Sequence, residues 1–122
     1  MVIDKPTTIQ ECQDILRRDP DHAEVMEWAW ELSQGQEGEF LNVYRDLTKS
    51  DADEPRHVRN FARTYLRLGR PLLAVVQYQK YLHARPSSEG YHELADVYRK
   101  LNRERNADEA VQKADELQKK GM

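Results

Sequence analysis

Five arginines, Arg56, Arg59, Arg63, Arg67 and Arg70, recur at spacings of three and four residues. On a helix that spacing makes one stripe of guanidinium groups, and like charges so close weaken an isolated helix by a few tenths of a kcal/mol per pair. Some compensation is therefore required. Guanidinium forks grip carboxylates at two points, so the stripe could hold an acidic side chain or a terminal carboxylate of another chain. Acids of the same chain could equally neutralise it: Asp51, Asp53 and Glu54 stand just upstream, and Glu89 and Asp96 stand further along. The two readings are compatible if the internal acids hold the arginines until a ligand displaces them.

Other reactive chemistry is thin. His22, His57, His83 and His92 show neither His-x-x-x-His nor His-Glu-x-x-His spacing, so they read as surface or capping groups and no metal site is expected. The single Cys12 lies with Ile9, Ile15 and Leu16 on an apolar face, which points to a packed thiol and leaves no disulfide framework. There is no glycine-rich phosphate loop and no nucleophile elbow. The expectation is a protein that is not an enzyme and takes no cofactor.

The elements that position these residues must build a narrow core. Of 122 residues, 39% are hydrophobic and 34% charged, the mean hydropathy is −0.94 and the net charge is −3. One domain of elongated shape fits that balance. A pI of 5.8 opposes a nucleic-acid footprint. No apolar run approaches the ~18 residues of a membrane span, and residues 1–9 hold no signal-peptide core, so a soluble, cytoplasmic protein is expected.

A repeat organises the chain. Ala29, Ala62 and Ala95 lie 33 residues apart, preceded by Trp28, Phe61 and Leu94. Four positions before each alanine stand Val25, Val58 and Tyr91, and three after stand Leu32, Tyr65 and Tyr98. Apolar residues at i, i+3, i+4 and i+7 form one helical stripe, and its small alanine is where a neighbouring helix can come closest. Leu68-Gly69-Arg70-Pro71 then breaks the chain, with Gly suited to a helix end and Pro to a helix start. A second helix follows with Leu73, Ala74, Tyr78, Tyr81 and Leu82, closed by Arg85-Pro86-Ser87-Ser88 with a Ser cap for the next unit. The spacing predicts seven helices over 8–18, 22–34, 38–49, 55–68, 71–84, 88–101 and 107–119, with Thr8 and Glu11 as a capping box and residues 102–106 as a stretched turn.

In the middle unit Val58, Phe61-Ala62, Tyr65, Gly69, Ala74, Tyr78 and Pro86 stand at the spacings of a tetratricopeptide repeat, which the chain resembles. The match is good over 55–88, fair over 88–119 and weak over 22–50. The resemblance implies an all-α, right-handed superhelix of stacked hairpins: a half-repeat helix at 8–18, then repeats at 22–50, 55–86 and 88–119. It also implies a concave groove lined by the first helices, which in the family usually takes a peptide of another protein.

By the same resemblance the groove would present Met26 and Trp30 from the first repeat, Arg56, Arg59, Arg63 and Arg67 from the second, and His92 and Asp96 from the third. Asn60 occupies one column used by family members that grip a terminal carboxylate. Met26 and Trp30 replace the Lys and Asn that such a clamp needs, and Glu89 and Glu93 stand where cations would be, which argues for a mixed apolar and cationic site. Trp and Arg are the residue types that dominate binding hot spots. The expected function is a protein-interaction module, an adaptor, assembly factor or chaperone-like protein, for a peptide of acidic character. The alternative is a structural protein that associates with itself. The first helix lacks a preceding partner, so Ile9, Cys12, Ile15 and Leu16 would leave apolar surface that a homodimer could cover.

Overall fold

The computed structural model describes residues 4–121. Among them the backbone forms seven helices and no strand: α1 Ile9–Arg18, α2 Ala23–Leu32, α3 Glu37–Ser50, α4 Pro55–Arg67, α5 Pro71–Ala84, α6 Ser88–Lys100 and α7 Glu104–Lys119. The expectations for Met1 and Met122 lie outside the described residues.

Local chemistry explains the starts. Thr8 caps α1 by accepting from the Glu11 amide at 3.2 Å, while the Glu11 carboxylate takes the Thr7 amide at 3.1 Å, one residue earlier than a capping box would have it. His22 caps α2 through Nδ1, which accepts from the Val25 amide at 3.3 Å. Ser87 caps α6 by accepting from the Gly90 amide at 3.0 Å. Proline opens α4 and α5, where its missing N–H costs nothing.

The 33-residue register carries through to backbone detail. α4 and α6 start at Pro55 and Ser88, and α5 and α7 start at Pro71 and Glu104. The turns between them match bond for bond. Gly69 takes φ +73° with its amide on Leu66 O and the Arg70 amide on Tyr65 O; Asn102 takes φ +58° with its amide on Arg99 O and the Arg103 amide on Tyr98 O. The stretched turn expected at 102–106 is therefore absent. Asn tolerates the left-handed conformation that Gly supplies in the preceding unit, so the chain reverses in the same three residues and α7 begins at Glu104. The turn after α2 differs, with Gln34 and Gly35 both left-handed.

The chain forms two compact units, one ending at Asn60 and one beginning at Phe61. In the first, α1 packs on α2 and α3, and α2 on α3. Its core is Cys12, Leu16, Val25, Ala29, Phe40, Val43, Tyr44 and Leu47. Burial pushes the Cys12 thiol pKa up, helped by the neighbouring Glu11 charge, which suits a packed, unreactive group. Buried Gln13 donates to Val43 O at 3.3 Å. Cys12 and Leu16 are enclosed while Ile9 and Ile15 stay half-buried, so little of the α1 apolar face is left over.

In the second unit α6 packs against both α5 and α7. Ala62, Ala74, Ala95, Ala107 and Ala114 are fully buried among Phe61, Tyr78, Tyr81, Leu82, Leu94 and Tyr98. Ala29 in the first unit is fully buried too, so all three alanines of the repeat hold contact positions. Gly90 is a close approach that the periodicity did not mark: a Cβ there would stand 2.8 Å from Leu82 Cδ2, 2.9 Å from Ser87 Oγ and 3.0 Å from Tyr81 Cε2.

Five apolar expectations shift. Trp28, Leu32, Val58 and Tyr91 are half-buried rather than core, and Leu73 is exposed. On α4 the burial that Val58 lacks falls to His57, which is 0% exposed. His57 Nε2 lies 2.8 Å from Asp51 Oδ2, and this hydrogen-bonded contact anchors the chain between α3 and α4. His57 is thus no surface histidine.

Candidate partner-binding surface

Within the first unit, the arginines of α4 meet the turn that joins α1 and α2. Arg59 Nη2 donates to Asp21 Oδ1 at 2.7 Å, and Arg56 Nη1 stands 3.7 Å from Asp21 Oδ2 while its Nε pairs with the Glu54 carboxylate. Asn60 donates to Pro20 O at 2.8 Å and to Asp21 Oδ1 at 3.1 Å. Partial burial pushes the Asp21 pKa up, but the hydrogen bonds from Arg59 and Asn60 and the charges of Arg59 and Arg56 outweigh it, leaving the carboxyl below the ordinary aspartate value. At 2% exposure Asn60 belongs to the packing of α4 rather than to an open surface, and its amide satisfies the carbonyl of buried Pro20.

Met26 and Trp30, the expected apolar half, are both half-buried on α2. Trp30 packs edge-on against Phe40 of α3, ring centroids 5.0 Å apart at 65°, so part of its area is already committed within the first unit.

Within the second unit Arg63 makes the strongest polar contact. Its Nε and Nη2 donate to Glu93 Oε1 and Oε2 at 2.8 and 2.9 Å, the two-point geometry in which Arg binds carboxylates. The Tyr78 hydroxyl donates to Glu93 Oε1 at 3.1 Å. Three helices thus converge on one carboxylate. Hydrogen bonding to Glu93 raises the Arg63 pKa further, and burial raises that of Tyr78 well above the ordinary tyrosine range. Glu89 lies 3.9 Å from Arg63, and Asp96 pairs with Arg99 at 3.0 Å on its own helix. His92, Asp96 and Arg67 are exposed.

The compensation of the arginine stripe was thus foreseeable in kind but not in partner. Glu54 and the more distant Glu89 were anticipated, whereas Asp21 and Glu93 carry the main pairs. Glu93 lies three residues before Asp96 on the same helix as Glu89, and only packing distinguishes the three.

Residues 88–120 match the tetratricopeptide repeat family. That match covers 33 of the 122 residues. The matched repeat is α6 and α7, one hairpin of the 33-residue register. The chain is similar in fold to two solved structures over most of its length. One is a crystal structure of MamA, with 16% identity and a TM-score of 0.63 over 89% of this chain and 66% of that one. The other is MamA MSR-1 C2, with 16% identity and a TM-score of 0.65 over 93% of this chain and 70% of that one. The chain thus spans just under two thirds of the first MamA structure's length. At such identity the likeness establishes the fold, an all-α helical solenoid of tetratricopeptide type. No curated protein matches. Among the described residues, no helix is long and apolar enough to cross a membrane and no group of three or more His, Cys, Asp or Glu could hold a metal ion.

Proposed function

We propose that this chain is a cytoplasmic interaction module whose first helices receive a peptide segment of a partner protein, with carboxylates of that segment engaging the arginines of α4. Met26, Trp30, Arg56 and Arg59 would serve from the first unit, and Arg63, Arg67, His92 and Asp96 from the second. The observation that carries the reading is the state of Arg63. Its side chain is 41% exposed while held at two points by Glu93, so it is oriented and already partnered by the group that a ligand carboxylate would imitate. Exchange of one carboxylate for another keeps every guanidinium hydrogen bond and sacrifices little, provided Glu93 can retain Tyr78.

The test compares capture of partners by the wild type with capture by an Arg59→Glu, Arg63→Glu variant at two ionic strengths. A partner that is held by wild type, weakened by salt and lost in the variant supports the reading. A partner held equally by both places the binding surface elsewhere.

A further inference from the structure

The molecule divides its charge unevenly. Residues 1–60 hold 7 Lys and Arg against 14 Asp and Glu, a net of −7; residues 61–122 hold 12 against 8, a net of +4. The exposed large apolar side chains of the described residues all fall in the positive part: Leu72 at 57%, Leu73 at 48% and Val76 at 44% exposure. They lie within two turns of α5, Val76 following Leu72 by four residues and Leu73 by three, so they share one surface.

That surface is shaped. Leu101, half-buried in the turn between α6 and α7, joins Gly69, Arg70, Pro71, Leu72 and Leu73 around an open notch of about 300 Å³. The left-handed turn at Gly69 forms one wall, and Leu101, just before left-handed Asn102, forms the other. Arg70 lines the notch, and exposed Lys100 and Arg103 flank Leu101 along the chain, so cations accompany it. Cations at the ends of α4 and α6 would be accounted for by the helix dipole alone. Three exposed aliphatic side chains beside them would not.

We propose that this notch is a docking site for an extended, acidic segment of a partner protein, one that inserts a leucine-like side chain between Leu73 and Leu101 and sets flanking carboxylates against Arg70, Lys100 and Arg103. A notch of this volume admits one or two projecting side chains of an extended strand, whereas the broad face of a helix would bridge its mouth without entering. Charge selects the segment: carboxylates complement Arg70 and its neighbours Lys100 and Arg103. The site lies apart from the arginine stripe, and it rests on the interaction-module reading without using the contacts proposed for Arg59 and Arg63.

The experiment titrates the full chain, labelled with nitrogen-15, with the peptide acetyl-Glu-Glu-Leu-Leu-Glu-Glu-amide. Saturable shifts are expected at the amides of Leu72, Leu73, Val76, Leu101 and Arg103. Binding should weaken at least about tenfold in Leu73→Glu, and separately in Arg103→Glu, and should be unaltered by Arg59→Glu with Arg63→Glu. Peptides with Lys in place of Glu, or Ser in place of Leu, should not bind. Leu73 and Arg103 are exposed, so both variants keep the fold, which circular dichroism verifies. Shifts that map to α2 and α4 overturn the notch while leaving the interaction-module reading standing, and the absence of saturable shifts overturns the notch. Leu73-dependent growth of mass with protein concentration would assign the surface to a second copy, and Leu73-dependent sedimentation with phosphatidylserine vesicles would assign it to a membrane; either result also overturns the proposal.

Discussion

Tyr78 and Glu93 meet on the carboxylate oxygen that also takes Arg63 Nε: the tyrosine hydroxyl lies 3.1 Å from Glu93 Oε1 and the guanidinium nitrogen 2.8 Å from it. One acid therefore braces α4, α5 and α6. Tyr78→Phe removes one donor and should cost about 1 kcal/mol, whereas Glu93→Ala strands both donors and should cost roughly 2 kcal/mol. Partial exposure of the Arg63 pair lowers both figures toward those of surface pairs. Urea unfolding of the two variants should rank them in that order. Burial and the Glu93 charge both disfavour the tyrosinate, so ultraviolet titration should find one tyrosine that resists ionisation well past pH 10 in wild type. The stability contributed by that neutral hydroxyl is complete below the unfolded tyrosine pKa and is lost as pH rises above it.

Asp21 gives the acid-side counterpart. Its folded pKa lies below the ordinary 3.8, so its contribution is complete above that value and is lost as pH falls through the folded pKa. Asp21→Asn should therefore be less stable than wild type at neutral pH and approach it in acid below the ordinary aspartate value, in a comparison of thermal midpoints about one pH unit apart. A constant difference across that range would remove Asp21 as the anchor of Arg59 and Asn60.

At Gly90 a methyl group would meet Leu82, Ser87 and Tyr81 at 3.0 Å or less. Alanine gains up to about 1 kcal/mol of helix propensity over glycine, but overpacking costs roughly 1 to 3 kcal/mol. The net expectation for Gly90→Ala is destabilisation by about 1 kcal/mol, with Gly90→Val much worse. A more stable Gly90→Ala would mean that Leu82 and Tyr81 move aside cheaply.

Asn102 holds φ +58° where the preceding repeat has glycine. Asn102→Gly should stabilise by roughly 0.5 kcal/mol, and Asn102→Val should destabilise by roughly 1 to 2 kcal/mol, since a β-branched residue cannot take that conformation without strain. Chemical denaturation of both variants checks the sign of each change.

The residues that kept the 33-residue rhythm were legible from sequence because the rhythm itself is a packing pattern: Ala29, Ala62 and Ala95 are fully buried, and six of seven helix starts fall within about one residue of expectation. What was not legible depended on partners far along the chain. His57 reads as an ordinary polar residue until Asp51 meets it, Asn60 until the Pro20 carbonyl does, and Glu93 differs from Glu89 only through its place over Tyr78. Leu73 misled in the other direction, since helical spacing reports which residues share a face but not whether that face is covered.

Both tryptophans, Trp28 and Trp30, lie before residue 60, whereas five of the six tyrosines, Tyr65, Tyr78, Tyr81, Tyr91 and Tyr98, lie after it. The division at Asn60 and Phe61 is thereby colour-coded. Indole emission excited at 295 nm would follow the melting of the first unit alone, with Trp30 released from Phe40 and Trp28 reporting local solvent. Backbone ellipticity would follow both. Superimposable curves from the two signals would define one cooperative transition, and separated curves would resolve two, with no label added to the chain.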